Sequence, residues 1–594
     1  MKKLLFNLLI LSLLAPVSLI SQRLSDSKLP SPLKENKNIK KSFLDPRIRE
    51  YIYPSRIIWQ TADNDSAKIT NPESLINKFE KQVTLEEKNL CVMSNNGGNS
   101  GILLDFGTEL QGGAQIMLGQ MKENNAAKFR IRFGESAEEA MSDIGGIKNA
   151  TNDHSVRDFI ISAPWLGTVE VGNTGFRFVR IDLLDQNRSV PLLGVRAVFL
   201  HRDLEYKGSF TCSDTLLNKI WNTGAYTVQL CMQDYLWDGI KRDRLVWIGD
   251  MHPETMTLLS VFGANDIVKN SLDLVKSNTP LPNWMNGISS YSMWWLIIQY
   301  NWYMYTGDKK YLESNKEYIL NLLEQFTKYI GKDNSEKLDG MRFLDWPTFA
   351  DSIAVHAGLQ ALLFKTFKSG SDLCKIFNNQ EMGKKCLDAA NRLKSNIPDP
   401  GSSKQAAAIM AISGLGDPVE LNSKVMAVDG AQRLSTFYGY YVLQAKALAG
   451  DIQGCLDVIR EYWGGMLKMG ATTFWEDFDL NWMNNASRID ELTEPGKKDI
   501  HGDYGKYCYI GFRHSLCHGW ASGPTAWMSQ HILGIEPVEP GFKVVRIKPN
   551  LGDLKWAKGT FPTPYGIITV SHEKSANGKI KTKYTVPKGV SVVE

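Results

Sequence analysis

The chain has 594 residues, 43% hydrophobic and 22% charged. That length predicts about two to four domains, and that composition excludes wholesale disorder. Lysine and arginine number 68 against 64 acidic residues, a formal charge of +4, which offers no electrostatic footprint for nucleic acid.

The N-terminus carries an export pattern. Lys2 and Lys3 precede a run from Leu4 to Leu14 that is apolar apart from Asn7 and Ser12, and Ser18 and Ser21 follow. This predicts a signal peptide over 1–21, too short for a membrane span. No Cys follows the run, so no lipid anchor is expected. The expectation is an exported protein, periplasmic or secreted, with no membrane span after signal removal. Residues 22–50 are rich in Lys, Ser and Pro and read as a linker.

From 51 to 205 the period is that of strands. Phe129, Ile131 and Phe133 alternate with Lys128, Arg130 and Arg132, as in a half-buried strand. Phe176 to Ile181 is a second candidate. Asn96-Gly97-Gly98 and Gly112-Gly113 read as turns between such runs, and together they predict an N-terminal β-sandwich.

Over 206–535 the period becomes helical. Ser213 or Asp214 can cap a helix that begins with Leu216, Leu217 and Ile220. Ile319, Leu322, Leu323, Phe326 and Ile330 share one helical face. Ala406 to Ile412 and Tyr438 to Leu448 also suit helices, and Gly307-Asp308 and Gly450-Asp451 punctuate the series. Repeated helices with loops rich in Trp and acids suggest an α/α toroid. Thirteen of the 16 tryptophans fall between Trp221 and Trp527. After Gly534 the strand period returns, with Asn577-Gly578 as a hairpin signal, so 536–594 is expected to be a small C-terminal β-sandwich.

The eight cysteines are scattered and none forms C-x-x-C. Buried free thiols are the default expectation, with Cys374–Cys386 the pair an oxidising compartment could join. No metal site and no cofactor is expected.

Three segments carry chemistry. Trp237 to Asp250 packs Asp238, Asp243 and Asp250 among Lys241, Arg242 and Arg244, with Trp247 beside them. A carboxylate beside arginine normally has a lowered pKa, so Asp243 can serve as a general acid only if those guanidiniums point elsewhere or a second carboxylate opposes them. A salt-bridge network at a helix start is the structural alternative. Gly470 to Phe478 places Glu476 behind a Trp, as a base for water or as a surface acid. His514 to Pro524 holds His518 beside Trp520, in a pocket wall or in the core.

Together these segments resemble the α-L-rhamnosidases of glycoside hydrolase family 78. Asp238, Lys241-Arg242-Asp243-Arg244 and Trp247-Ile248-Gly249-Asp250 look like the family's acid loop. Gly470 to Glu476 matches its Gly-Ala-Thr-Thr-x-Trp-Glu stretch. His518 to Gly523 and Leu344-Asp345-Trp346 are similar to two further elements. The resemblance implies an (α/α)6 barrel flanked by N- and C-terminal β-sandwiches, acting on carbohydrate by inversion. By position, Asp243 takes the general-acid place and Glu476 the general-base place. Asp238, Arg242, Trp247, Asp250, Trp346 and His518 would bind the sugar.

Two departures stand out. The family's acid is normally Glu, and the loop here is one residue shorter between Asp238 and Asp243. Glu254, four residues past Asp250, is the reserve acid. A non-catalytic carbohydrate-binding protein, a hydrolase for a different terminal sugar, and a polysaccharide lyase using Tyr504 or His518 remain alternatives.

Overall fold

The computed structural model describes residues 45–77, 83–85, 88–152 and 154–593. The expected signal segment and most of the expected linker lie outside them. The linker's last residues already belong to a strand, Arg47–Ile52.

The N-terminal layer is an antiparallel sheet. Seven of its nine strands are β1 (Ala67–Thr70), β2 (Cys91–Asn95), β3 (Gly101–Leu118), β4 (Ala127–Gly134), β5 (Asp158–Ala163), β6 (Gly167–Leu183) and β7 (Arg188–Arg202), in the order β1-β2-β7-β3-β6-β4-β5, while Arg47–Ile52 pairs with β7 and Arg56–Gln60 with β3. Phe129, Ile131 and Phe133 are buried as the alternation predicts. Arg132, expected on the solvent face, is also buried, because Nη2 pairs with Asp182 Oδ2 across β6 at 2.9 Å. Gly112-Gly113 is not a turn. Both lie inside β3, where a Cβ on Gly112 would sit 1.9 Å from the Val198 carbonyl oxygen and one on Gly113 would sit 2.4 Å from that of Val171. These glycines permit close backbone approach at a bulge, not a reversal.

The helical region begins where the capping pattern predicts. Asp214 accepts from Leu216 N and Leu217 N and opens α1 (Thr215–Cys231). There follow α2 (Ile248–Val261), α3 (Asp266–Asn278), α4 (Ser289–Thr306), α5 (Lys316–Thr327), α6 (Ser352–Ile376), α7 (Gln380–Lys394), α8 (Lys404–Ser413), α9 (Thr436–Leu448), α10 (Ile452–Val458) and α11 (Gly523–Trp527). Helices α2, α4, α6, α8, α9 and α11 pack each on the next, and α11 packs back on α2, so the toroid closes. Outer helices such as α5 and α7 bury one face only. The inner α4 buries all of Ser289–Gln299. A helix buried on every side loses its amphipathic period.

The C-terminal part forms two small sheets. One runs β8 (Ser209–Cys212), β11 (Trp556–Thr563), β12 (Gly566–Lys574), β13 (Ile580–Thr585). The other runs β9 (Ile535–Pro537), β10 (Val544–Ile547), β14 (Ser591–Val593). Strand β8 precedes the toroid in sequence and pairs with β11 from Ser209↔Thr560 to Cys212↔Ala557. Both ends of the helical region are thereby tied to one sheet. Asn577-Gly578 turns the chain between β12 and β13, with Gly578 at φ +82°.

Candidate active site

Three chain segments meet at one end of the toroid. Asp238 and Leu245 exchange two hydrogen bonds, Asp238 N to Leu245 O and Leu245 N to Asp238 Oδ1, both 3.0 Å. They close the loop that carries Arg242 and Asp243. Asp243 and Arg244 follow one another in the left-handed region, at φ +58° and +56°. Non-glycine residues rarely adopt that conformation, and Asp tolerates it better than most. The shortened loop turns back through these two residues. Glu476 N donates to Ser515 O at 3.0 Å, His518 N to Phe474 O at 2.9 Å, and Gly519 N to Asp238 O at 2.7 Å. The three motif segments thus hydrogen-bond to one another, which brings their side chains together.

A cavity of about 310 Å³ results, and all eight residues expected at the site line it: Asp238, Arg242, Asp243, Trp247, Asp250, Trp346, Glu476 and His518. Ile288, Tyr291, Met341, Phe343 and Trp520 add an apolar wall, and Cys508 and Arg513 complete the lining. Glu254 does not line it. Its carboxyl is buried with neither oxygen hydrogen-bonded, packed where a Cβ on Gly519 would lie 1.8 Å from Oε1. Burial pushes its pKa well up.

Of the two guanidiniums beside Asp243, that of Arg244 points elsewhere and that of Arg242 stays within ion-pair range of it. Arg244 Nη1 donates to Asn173 O at 2.8 Å, and its head lies 4.6 Å from the Trp237 ring centre. Arg242 Nη2 pairs with Glu476 Oε1, leaving Nη1 3.7 Å from Asp243 Oδ1. Trp247 Nε1 donates to Asp243 Oδ2 at 3.1 Å.

Glu476 is buried, which alone would raise its pKa. The Arg242 charge, then that of His518, outweighs burial and holds it at about 2. Ser515 N donates to its Oε2 at 3.2 Å. The group is an anion throughout the neutral range. His518 shows the converse. Burial opposes its charge, but Glu476, Asp250 and Asp238 lift its pKa to about 9. Burial raises both Asp238 and Asp250, against the pull of His518. Asp250 sits in the first turn of α2, where the helix dipole favours its anion.

Lys241 anchors the loop from behind. Its buried Nζ donates to Phe512 O at 2.8 Å and His514 O at 2.7 Å, and lies 3.1 Å from Glu135 Oε2 and 3.2 Å from Glu139 Oε1. Glu135, Glu139 and His501 cluster tightly enough to hold a cation, and the lysine ammonium supplies that charge. The sheet layer also fastens the loop: Gly175 N donates to Ile240 O at 3.0 Å and Ser155 Oγ to Lys241 O at 2.8 Å.

Two further residues at Asp243 had no signal in sequence. His154, from the connection between β4 and β5, places Nε2 3.1 Å from Asp243 Oδ1, and Arg513 Nη2 lies 3.2 Å from the same nitrogen. The tryptophans also divide differently from expectation. Trp221, Trp294, Trp295, Trp302, Trp463, Trp475 and Trp527 are fully buried core residues, and of the helical region's set only Trp247, Trp346 and Trp520 line the cavity. All eight cysteines are thiols, Cys374 and Cys386 included.

The closed ring with paired carboxyls at one end has the form of a six-hairpin glycosidase. Residues 205–400 match the family model of the bacterial α-L-rhamnosidase six-hairpin glycosidase domain, and residues 534–593 that of the bacterial α-L-rhamnosidase C-terminal domain. Over these two segments the chain is similar to the bacterial α-L-rhamnosidases.

An α-L-rhamnosidase of Alteromonas sp. (strain LOR) is 25% identical over 540 residues, covering 82% of this chain and 55% of that protein. One of Formosa agariphila is 23% identical over 444 residues, 67% of this chain and 45% of that one. The chain thus spans about half the length of these curated relatives. Among solved structures, the family 78 rhamnosidase of Bacillus sp. GL1 superposes with a TM-score of 0.69 at 22% identity, over 88% of this chain and 56% of that one. A Klebsiella oxytoca rhamnosidase with rhamnose bound gives 0.60 at 17%, over 82% of this chain and 96% of that one.

Proposed function

We propose that the chain is an exo-acting, inverting glycoside hydrolase that releases terminal α-L-rhamnose from oligosaccharides, polysaccharides or glycosides. The observation that carries this reading is the convergence of Asp243 and Glu476 on one cavity with Arg242 between them. Asp243 protonates the glycosidic oxygen as the leaving group departs. Glu476 takes a proton from a water that attacks the opposite face of the sugar. An inverting pair needs carboxyls roughly 6.5–9.5 Å apart to admit that water, and a guanidinium interposed between the two is compatible with such a gap. Asp238, Asp250 and the His518 imidazolium bind sugar hydroxyls. The wall of Ile288, Met341, Phe343 and Trp346 suits the methyl group of a 6-deoxy sugar.

The lyase alternative finds no support at Tyr504, which lies outside the cavity lining and stacks on Trp482. We read residues 51–205 and 536–594 as flanking sandwich domains and 206–535 as the catalytic domain. We read the protein as exported, periplasmic or secreted, on the strength of the apolar run behind Lys2 and Lys3.

A panel of nitrophenyl glycosides tests the sugar assignment. Turnover confined to the α-L-rhamnoside is expected. Faster turnover of another glycoside would replace rhamnose with that sugar.

A further inference from the structure

Both oxygens of the Glu476 carboxylate are held by donors from other segments. Oε1 pairs with Arg242 Nη2, and Oε2 accepts from Ser515 N at 3.2 Å. Each donor adjoins a residue bound to one buried carboxyl, that of Glu135, directly after β4. Glu135 Oε2 accepts from Leu516 N at 2.6 Å and lies 3.1 Å from Lys241 Nζ. Ser515 Oγ donates to Glu135 Oε1 at 3.4 Å. Leu516 follows Ser515, and Lys241 precedes Arg242. Lys241 Nζ binds the same segment again through Phe512 O and His514 O. Glu135 N donates to Glu139 Oε2 at 2.9 Å, which fixes the carboxyl's own backbone.

Burial pushes the Glu135 carboxyl up to about 7 against the pull of Lys241, and Glu139 adds to the rise. The contact with Leu516 survives in either protonation state. A proton on Oε1 faces the Ser515 hydroxyl, which can accept it, and Oε2 still accepts from Leu516 N.

We propose, resting on the reading of Glu476 as general base, that Glu135 is a positioning residue supplied by the N-terminal sheet layer: through Leu516 and Lys241 it fixes the two donors that aim the Glu476 carboxylate at the attacking water. Glu135 does not line the cavity, and proton transfer stays with Glu476 and Asp243. It belongs to none of the three motif segments. The base is thereby set from outside the toroid.

The test uses 2,4-dinitrophenyl α-L-rhamnoside, whose leaving group departs without a proton, so that the rate reads the base side alone. Wild type, Glu135→Ala, Glu135→Gln, Glu135→Asp, Glu476→Gln and the Glu135→Ala/Glu476→Gln pair are compared well below their thermal transitions. Glu135→Ala is expected to lose about 10–100-fold in kcat, the cost of a small misplacement, with KM within about threefold. Glu135→Gln keeps an acceptor at the same reach and should stay within about threefold of the wild type. Glu135→Asp keeps the charge beside Lys241 but draws the acceptor back by a methylene. It should be impaired as well, and it carries the test if the alanine variant does not fold. Glu476→Gln should lose about 10²–10⁴-fold, and adding Glu135→Ala to it should cost less than about threefold more, because residues that act through one another are not additive. Full activity in Glu135→Ala or Glu135→Asp, an equal loss in Glu135→Gln, or the whole Glu135→Ala loss repeated in the Glu476→Gln background would overturn the positioning role. Full activity of Glu476→Gln itself would remove the base, and the proposal with it.

Discussion

His518 Nε2 lies 3.0 Å from Asp250 Oδ2, while Nδ1 stands 3.9 Å from Glu476 Oε1 with no hydrogen-bond partner. The ring links an aspartate at the start of α2 to the proposed base, and it carries an unused donor. Its pKa of about 9 predicts that kcat/KM holds through neutral pH and falls above about 9, as the imidazolium proposed to bind sugar is lost. Asp250→Asn removes an anion that favours the charged ring, so the alkaline limb should move to lower pH. A pH–rate profile checks this. An unmoved limb would show that His518 does not set it.

Arg242 governs the acidic limb. Its charge counts among the forces that hold Glu476 near 2 against burial. In Arg242→Met the Glu476 pKa should rise toward or past the usual carboxylate value of about 4.3. The acidic limb of kcat/KM should rise with it, and the rate at pH 7 should fall about 10²-fold through lost charge positioning. A rate unchanged between pH 4 and 7 would contradict this pairing.

Lys241 is a stability prediction. It is a buried cation with Glu135 and Glu139 on one side and two loop carbonyls on the other. Lys241→Met leaves two buried acids uncompensated, a loss of about 3–5 kcal/mol for a broken buried pair. A lower melting temperature in a calorimetric scan is expected, with activity lost well below the wild-type transition. An unchanged melting temperature would mean the acids relax into water.

Glu254 should be dispensable for chemistry. Its buried carboxyl has no hydrogen-bond partner and burial pushes its pKa well above the usual range, which favours the uncharged form that glutamine resembles. Glu254→Gln should keep turnover within about threefold, whereas Asp243→Asn should lose about 10²–10⁴-fold on a poor leaving group. The reverse result would make Glu254 the acid.

Much of this was legible in the sequence because local rules decided it. Asp214 caps α1 as its side chain allows, and the amphipathic face of Ile319 to Phe326 is buried on α5. The site segments could be read because their acids and aromatics are contiguous. What could not be read depends on long-range contact. Gly112 and Gly113 looked like a turn because their purpose is the approach of β6 and β7. The burial of the α4 tryptophans could not be read because an inner helix has no polar face to betray it. Strand β8 was assigned to the toroid because its partner β11 begins more than 300 residues later. Strands β5 to β8 and helix α1 come between His154 and Asp243 in sequence, and no spacing rule joins them.

The central claim is that Asp243 and Glu476 act as an inverting pair on a terminal α-L-rhamnoside. Proton NMR of the product within the first turnovers tests it most directly, before mutarotation mixes the anomers. The account predicts that β-L-rhamnose appears first and the α-anomer grows in later. First appearance of α-L-rhamnose, or no free rhamnose at all, would contradict it.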